Sequence, residues 1–429
     1  MLVPRKLAAI ATVAVAVLIV SGCASSSPPQ ASKSGGTASI AIFHEFSGPN
    51  AAYGPEAAAG CYPAVRLINA AGGVLGSKFE CLPTDSKGDP ADAIPAARKL
   101  ISSTANLVGV IGGGSDNAPA VVPIFNQAKI PIFSTTGQSV FDTNTAAYFW
   151  RLLSPDTAQG YAMAAAAKQL GRTRVATVFG NDVAAQGSAP SAIAGIKKLG
   201  LKLVAHQTLA LDQPSYRTEV EALIQSNPQV IISEADPQTT ATYLSELKGL
   251  GTLVPLITDP VSQEPNWITA VSGSIGGDTL ARLDTAVVAY APMSTVAYKA
   301  FSGALLASAA QVPKPSQWTS DLYSVADYDS AIVMALAMLE AHSTAPSKYN
   351  GFITQVTAAH AGHSVVHTFA EGKKLLSQGK SIQYVGAVGP IQFNRNHNAN
   401  NAFALETYGS GGQWTPAGLI TAAALAAAQ

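Results

Sequence analysis

The sequence predicts an α/β protein of two lobes, each a doubly wound parallel sheet. Short β-branched runs alternate with Ala-rich helical stretches along the chain. The runs are continuously apolar rather than alternating, the pattern of strands covered by helices on both faces. At 429 residues, one sheet would have to be very wide to hold them all, so two lobes follow.

The elements read in order. Strands are predicted at Ser39–Phe43, Phe79–Pro83, Leu107–Ile111 and Ile130–Phe133, then at Arg174–Phe179, Lys202–Leu209, Gln229–Ser233 and Pro255–Ile257. Helices are predicted at Glu56–Ala71, Pro90–Ser103, Asn117–Ala128, Thr157–Leu170, Ser215–Gln225 and Thr239–Gly249. Asp89-Pro90 supplies an N-cap and a first-turn Pro, while Gly72-Gly73 and Gly171 are helix stops. A third block, Thr285–Asn394, follows. No fixed-period repeat suggests a solenoid.

Composition narrows the function. Lys plus Arg and Asp plus Glu both number 26. A balanced chain lacks the basic stripe a nucleic-acid binder uses to release phosphate counterions. With 48% hydrophobic residues it is too apolar to be disordered. Leu7–Val20 is the one stretch read as a membrane concern. It falls short of the ~20 residues a spanning helix needs, which excludes a polytopic membrane protein.

Arg5 and Lys6 precede that apolar run, and Val20-Ser21-Gly22-Cys23 follows it, the layout of a secretory signal. The last four residues resemble a bacterial lipobox. That resemblance implies a leader over 1–22 and acylation of Cys23, placing the protein on the extracytoplasmic face of the cell membrane. Two acyl chains suffice for stable anchoring. Residues 23–36, rich in Ser, Pro and Gly, read as a flexible tether. The remaining cysteines are Cys61 and Cys81. Exported chains meet oxidising conditions, which favours a disulfide over two buried thiols.

Several motifs occur in a telling order: Phe46-Ser47-Gly48-Pro49 with Tyr53-Gly54; Asn69-Ala70-Ala71-Gly72-Gly73-Val74-Leu75-Gly76; Asp85 with Asp89-Pro90; Ile130-Pro131-Ile132-Phe133-Ser134; Tyr328-Asp329-Ser330-Ala331; and Gly386-Ala387-Val388-Gly389-Pro390-Ile391-Gln392-Phe393. Together they resemble the type I periplasmic binding proteins of the branched-chain amino-acid and amide class. The resemblance implies a first lobe of 37–155 and 290–400, a second of 156–289 and 401–429, and a hinge of three crossovers. It also implies a monomeric, non-enzymatic receptor that closes on a small polar ligand and hands it to an ABC permease, without a cofactor. A receptor partnering a signalling protein is the alternative on the same fold.

Ligand contacts are expected from Tyr53 on the first loop. Gly114 and Ser115 follow the strand Leu107–Ile111, where glycines admit a ligand to the backbone and helix-start N–H groups attract anions. Thr136 and Gln138 follow the next strand. Second-lobe candidates are Gln186, Asp236 and Asp259, the last as partner of a ligand ammonium group. Gln138 stands where the family usually has Thr, and no aromatic stands at Gln186 or Asp236. The first departure leaves the ligand's identity open, and the second implies a ligand other than plain leucine. His360, His363 and His367 could share a helical face, but Gly362 interrupts it and no carboxylate is suitably spaced for a metal. No nucleophile elbow, P-loop or zinc-protease motif occurs.

Overall fold

A computed structural model describes residues 36–48, 51, 53–290, 295–399, 403–409 and 411–429. The leader, Cys23, Pro49 and all of the tether except Gly36 lie outside the described residues.

Among these residues a five-stranded parallel sheet runs in the order β2-β1-β3-β4-β5. Its strands are β1 (Thr37–His44), β2 (Lys78–Asp85), β3 (Leu107–Gly112), β4 (Ile132–Phe133) and β5 (Phe149–Trp150). The next strands are β6 (Arg174–Gly180), β7 (Lys202–Leu209), β8 (Val230–Glu234), β9 (Leu256–Thr258) and β10 (Thr285–Tyr290). A small sheet of β11 (Ser364–Val366), β12 (Ile382–Gly386) and β13 (Gly389–Pro390) intervenes. The chain then adds β14 (Phe403–Tyr408), antiparallel to β10, and β15 (Trp414–Ile420), antiparallel to β14, giving a seven-stranded sheet, β15-β14-β10-β9-β8-β6-β7. Strand order reverses beside β1 in the first sheet and beside β6 in the second. At such reversals the loops after neighbouring strands diverge to opposite faces and leave a crevice.

The eight predicted strands and six predicted helices all occur, with ends differing by up to three residues. The reading gave no strand positions for β5 or for any strand from β10 onward. β5 is two residues long, and β15 is largely exposed, so neither carries a strong apolar run. Among the described residues one helix, Leu322–Glu340, is long and apolar enough to meet a spanning criterion, a stretch the sequence reading did not single out. Its residues from Ser324 to Leu339 are buried in the core. Apolarity on all sides marks a central packing element here.

The motifs have structural jobs. The Asn69 side chain pairs with both the N–H and C=O of Phe79, at 2.8 Å each, like an added strand residue. Gly73 is required in that turn, because a Cβ there would lie 2.1 Å from the Ser77 oxygen. Asp85 accepts from Phe46 N at 2.9 Å and Ser47 Oγ at 2.5 Å, fixing the first loop. Asp89 caps its helix through Ala91 N at 2.7 Å, as the sequence predicts. Asp329 and Gly386, from motifs far apart in the chain, form one unit. The Asp329 carboxylate accepts from Tyr384 OH at 2.7 Å, Ala387 N at 3.0 Å and Val388 N at 2.8 Å. A Cβ on Gly386 would sit 2.4 Å from that carboxylate.

Cys61, buried in the helix Tyr53–Ala70, is disulfide-bonded to Cys81 on β2, with Cα atoms 6.1 Å apart. The bond ties the first helix to the edge strand. For a separation of 20 residues, the chain-entropy estimate is about 3 kcal/mol. A Cys61→Ser/Cys81→Ser double variant should lose about that much in urea unfolding against the oxidised protein. An unchanged midpoint would show that the bond contributes no stability.

Candidate functional site

Both strand-order reversals point at one cavity of about 450 Å³. Its first wall is built by segments following strands of the five-stranded sheet: His44 and Glu45 after β1, Tyr53 and Glu56 on the next helix, and Gly114, Ser115 and Asp116 after β3. The facing wall comes from the seven-stranded sheet: Asp182 after β6, Glu234 to Pro237 at the end of β8, and Asp259, Val261 and Glu264 after β9. Tyr323 closes one side.

The glycines of the β3 turn are conformational necessities. Gly112 has φ +107° and Gly113 φ +71°, and a Cβ on Gly112 would meet the Phe43 oxygen at 2.4 Å. This lets β3 turn sharply and bring Gly114 and Ser115 to the wall. Asp182, Asp236 and Asp259 stand where strands give way to helices, each accepting backbone N–H groups. Asp182 takes Ala185 N at 3.0 Å, Asp236 takes Gln238 N at 2.9 Å and Thr239 N at 3.0 Å, and Asp259 takes Val261 N at 3.1 Å.

Of the residues expected from sequence, Tyr53, Gly114, Ser115, Asp236 and Asp259 meet on this cavity. Thr136, Gln138 and Gln186 do not line it. Thr136 is fully buried, with its hydroxyl 3.2 Å from that of Ser115. The Gln138 amide donates to the Ser115 carbonyl at 2.8 Å. Both brace Ser115 from behind. The Gln186 amide turns back to the Gly180 carbonyl at 2.7 Å and braces the β6 turn.

Arg151 escaped the sequence reading. It is fully buried and donates to Asn398 Oδ1 at 2.9 Å, the Thr136 carbonyl at 3.2 Å, the Gln138 carbonyl at 3.1 Å and Asp142 Oδ1 at 2.5 Å. Its signal was a lone cation inside the apolar run Phe149-Trp150-Arg151-Leu152-Leu153. Asp156, at the start of the next helix, sits against two glycines. A Cβ on Gly137 would lie 1.6 Å from its carboxylate, and one on Gly187 2.5 Å. Burial pushes the Asp156 carboxyl up to about 7, against the opposing pull of Arg151.

The walls are overwhelmingly acidic. Eight carboxylate residues line the cavity: Glu45, Glu56, Asp116, Asp182, Glu234, Asp236, Asp259 and Glu264. No Lys or Arg does so among the described residues. Glu45 alone is held below the usual range; burial pushes it up, but the bond and charge of His44 outweigh that. It also receives the Asn117 amide at 2.6 Å. At Glu56, Glu234, Asp259 and Glu264 burial dominates and neighbouring carboxylates add to it. Asp259 and Glu264 rise to about 7, and Glu56 and Glu234 well above the carboxylate range. Glu234 is bonded by Ser188 Oγ and by Gln159 Nε2.

A carboxyl with a raised folded-state pKa binds its proton more tightly folded than unfolded. Its stabilising contribution is complete below the unfolded value and is lost as pH rises through the folded one, near 7 for Asp259 and Glu264. Without ligand, thermal melts should therefore show a Tm several degrees higher at pH 5.5 than at pH 8 (about 1.4 kcal/mol per pKa unit). Glu264→Gln should flatten that slope. A Tm that rises with pH over this range would contradict the assignment.

Comparison with known proteins places this architecture. Residues 37–413 match the family described as "Periplasmic binding protein". An amino acid binding protein of Pseudomonas aeruginosa is 26% identical over 197 residues, 45% of this chain and 52% of that protein. A Leu/Ile/Val-binding protein homolog 7 of Brucella abortus is 40% identical over 95 residues, 21% of this chain and 23% of the relative. The chain thus matches about half the length of the first of these curated relatives and less of the second. Among solved structures, the branched-chain amino acid transporter substrate-binding protein of Streptococcus pneumoniae, in complex with isoleucine, superposes with a TM-score of 0.70. It is 18% identical, covering 89% of this chain and 99% of that one. A leucine-binding protein of Thermotoga maritima gives 0.68 at 18% identity, covering 90% and 99%. With two doubly wound sheets and a cavity at both strand-order reversals, the chain belongs to the periplasmic binding protein family and has its type I fold.

Proposed function

We propose that this protein is a lipid-anchored extracytoplasmic receptor that captures a small polar ligand, an amino acid, an amide or a related compound, and delivers it to an ABC permease by closure of its cleft. One observation carries the reading: residues from both sheets converge on a single small-molecule-sized cavity. Tyr53, Gly114 and Ser115 contact the ligand from one side and Asp236 and Asp259 from the other, while Thr136, Gln138 and Gln186 set the positions of those contacts. The lobes comprise 37–155 with 290–400 and 156–289 with 401–429. The hinge runs through the three crossovers, with Arg151 and Asp156 at the first. Cys23 carries the anchor.

Contacts from both walls form together only in the closed state, so a ligand shifts the population towards it. A thermal-shift screen of amino acids, amides, ureas and small carboxylates should find a stabilising compound, because ligand that binds only the folded state raises stability as RT ln(1 + [L]/Kd). Solution scattering with that compound should show compaction; an unchanged radius of gyration with saturating ligand would sink the closing mechanism.

Cell fractionation tests the anchor separately. The Cys23→Ala variant should leave the membrane fraction or remain unprocessed, and unchanged fractionation and mass would refute lipidation.

A further inference from the structure

The cavity has a charge pattern that the receptor reading does not explain. Its eight carboxylate residues are shared between both walls, and among the described residues no cationic Lys or Arg faces them. Glu56 is the clearest case. It is only 7% exposed, lines the cavity, and its carboxylate takes no hydrogen bond from any described residue. The charges nearest to it, from Asp321, Glu264, Asp327 and Glu45, all have its own sign. A buried carboxyl without a donor keeps its proton unless a cation arrives to pair its charged form.

Three further features shape that cation. Among the described residues no three His, Cys, Asp or Glu converge closely enough to hold a metal ion, so the negative charge is spread along the cavity rather than focused at a point. The basic side chains near a ligand carboxylate are already committed: His44 on the wall is paired with Glu45, Arg151 is fully buried and bonded to Asp142, Asn398 and two carbonyls, and the Ser115 hydroxyl is within bonding distance of that of Thr136. Tyr53, 43% exposed, and Tyr323 offer aromatic surface on the same walls, which suits an alkylammonium group.

We propose that this cavity takes an organic cation with a net charge of at least +2 and its charges spaced along a flexible chain, a diamine or polyamine, rather than a zwitterionic amino acid. The proposal rests on the reading of the cavity as the ligand site and narrows it. One charge sits at Glu56 and Glu264 and another at Asp259 and Asp182, so the ligand bridges the two walls.

Isothermal titration of the purified protein with spermidine, putrescine, lysine and leucine tests it. Spermidine or putrescine should bind about tenfold or more tightly than lysine or leucine, and more weakly as salt is raised. Glu56→Gln should weaken polyamine binding by about tenfold or more, as expected for loss of a charge-assisted bond. Glu264→Gln serves the same purpose should the first variant fold poorly. Leucine or lysine binding as tightly as the polyamines overturns the charge inference and leaves the receptor reading intact. Failure of both polyamines to bind, or polyamine binding that ignores both substitutions, also overturns it. The receptor reading falls separately, if no compound in the wider screen stabilises the protein.

Discussion

Much of this architecture depends on one buried guanidinium. Arg151 joins three stretches of chain that sequence holds far apart: the turn at Thr136 to Asp142, the crossover into the second sheet, and the segment around Asn398. Its backbone continues the connection, with its N–H donating to the His397 carbonyl and its C=O accepting from Ala399 N. The second Asp142 oxygen is taken by Thr157 Oγ1 at 2.7 Å, so the counterion is itself anchored to the following helix. Removing one partner of such a buried pair costs about 3–5 kcal/mol, because the other charge is stranded. The Ser115 wall therefore keeps its place through polar bonds to a single cation, where apolar packing alone would permit sliding.

The acidity of the cavity grows from ordinary local chemistry repeated at one place. In a doubly wound sheet each strand ends where a helix begins, and helix starts prefer a carboxylate cap. Asp182, Asp236 and Asp259 are such caps, and the topology delivers them to the same crevice. Each bond stabilises its own helix, yet the charges of Asp182 and Asp259 raise the cost of ionising Glu234, and that of Asp259 the cost of ionising Glu264. Glu56, Glu234 and Glu264 cap nothing through their side chains. Their presence turns a by-product of folding into a concentrated field.

The fold was legible because its signals are local. Continuous apolar runs and glycine stops located β1 to β4 and β6 to β9, and ordered motifs such as Asn69 to Gly76 identified their arrangement. The lack of a strong apolar run hid β5 and β15, whose place is set by the neighbours they join rather than by their own residues. Within the site, positions directly after strands were legible: Gly114, Ser115, Asp236 and Asp259 reach the wall because strand ends face the crevice. Depth was not legible. Nothing in the spacing of Ser134 to Gln138 tells that Thr136 is buried behind Ser115 rather than on the cavity, since that depends on how the two turns pack. Glu56 and Glu264 were missed for a related reason. They sit inside a helix and at a helix start, where an acidic residue usually faces solvent, yet in the fold Glu56 is buried and Glu264 half-buried.

The Asp329–Gly386 contact bears on how such a sequence can change over time. Any side chain introduced first at Gly386 collides with the carboxylate, 2.4 Å from the Cβ position. Any loss of the carboxylate first strands the N–H groups of Ala387 and Val388 in the interior. Either order of replacement passes through a destabilised ancestor, so the two positions are held together by the lack of a neutral path between alternatives. A helix and a hairpin loop separated by more than fifty residues thus drift as one unit.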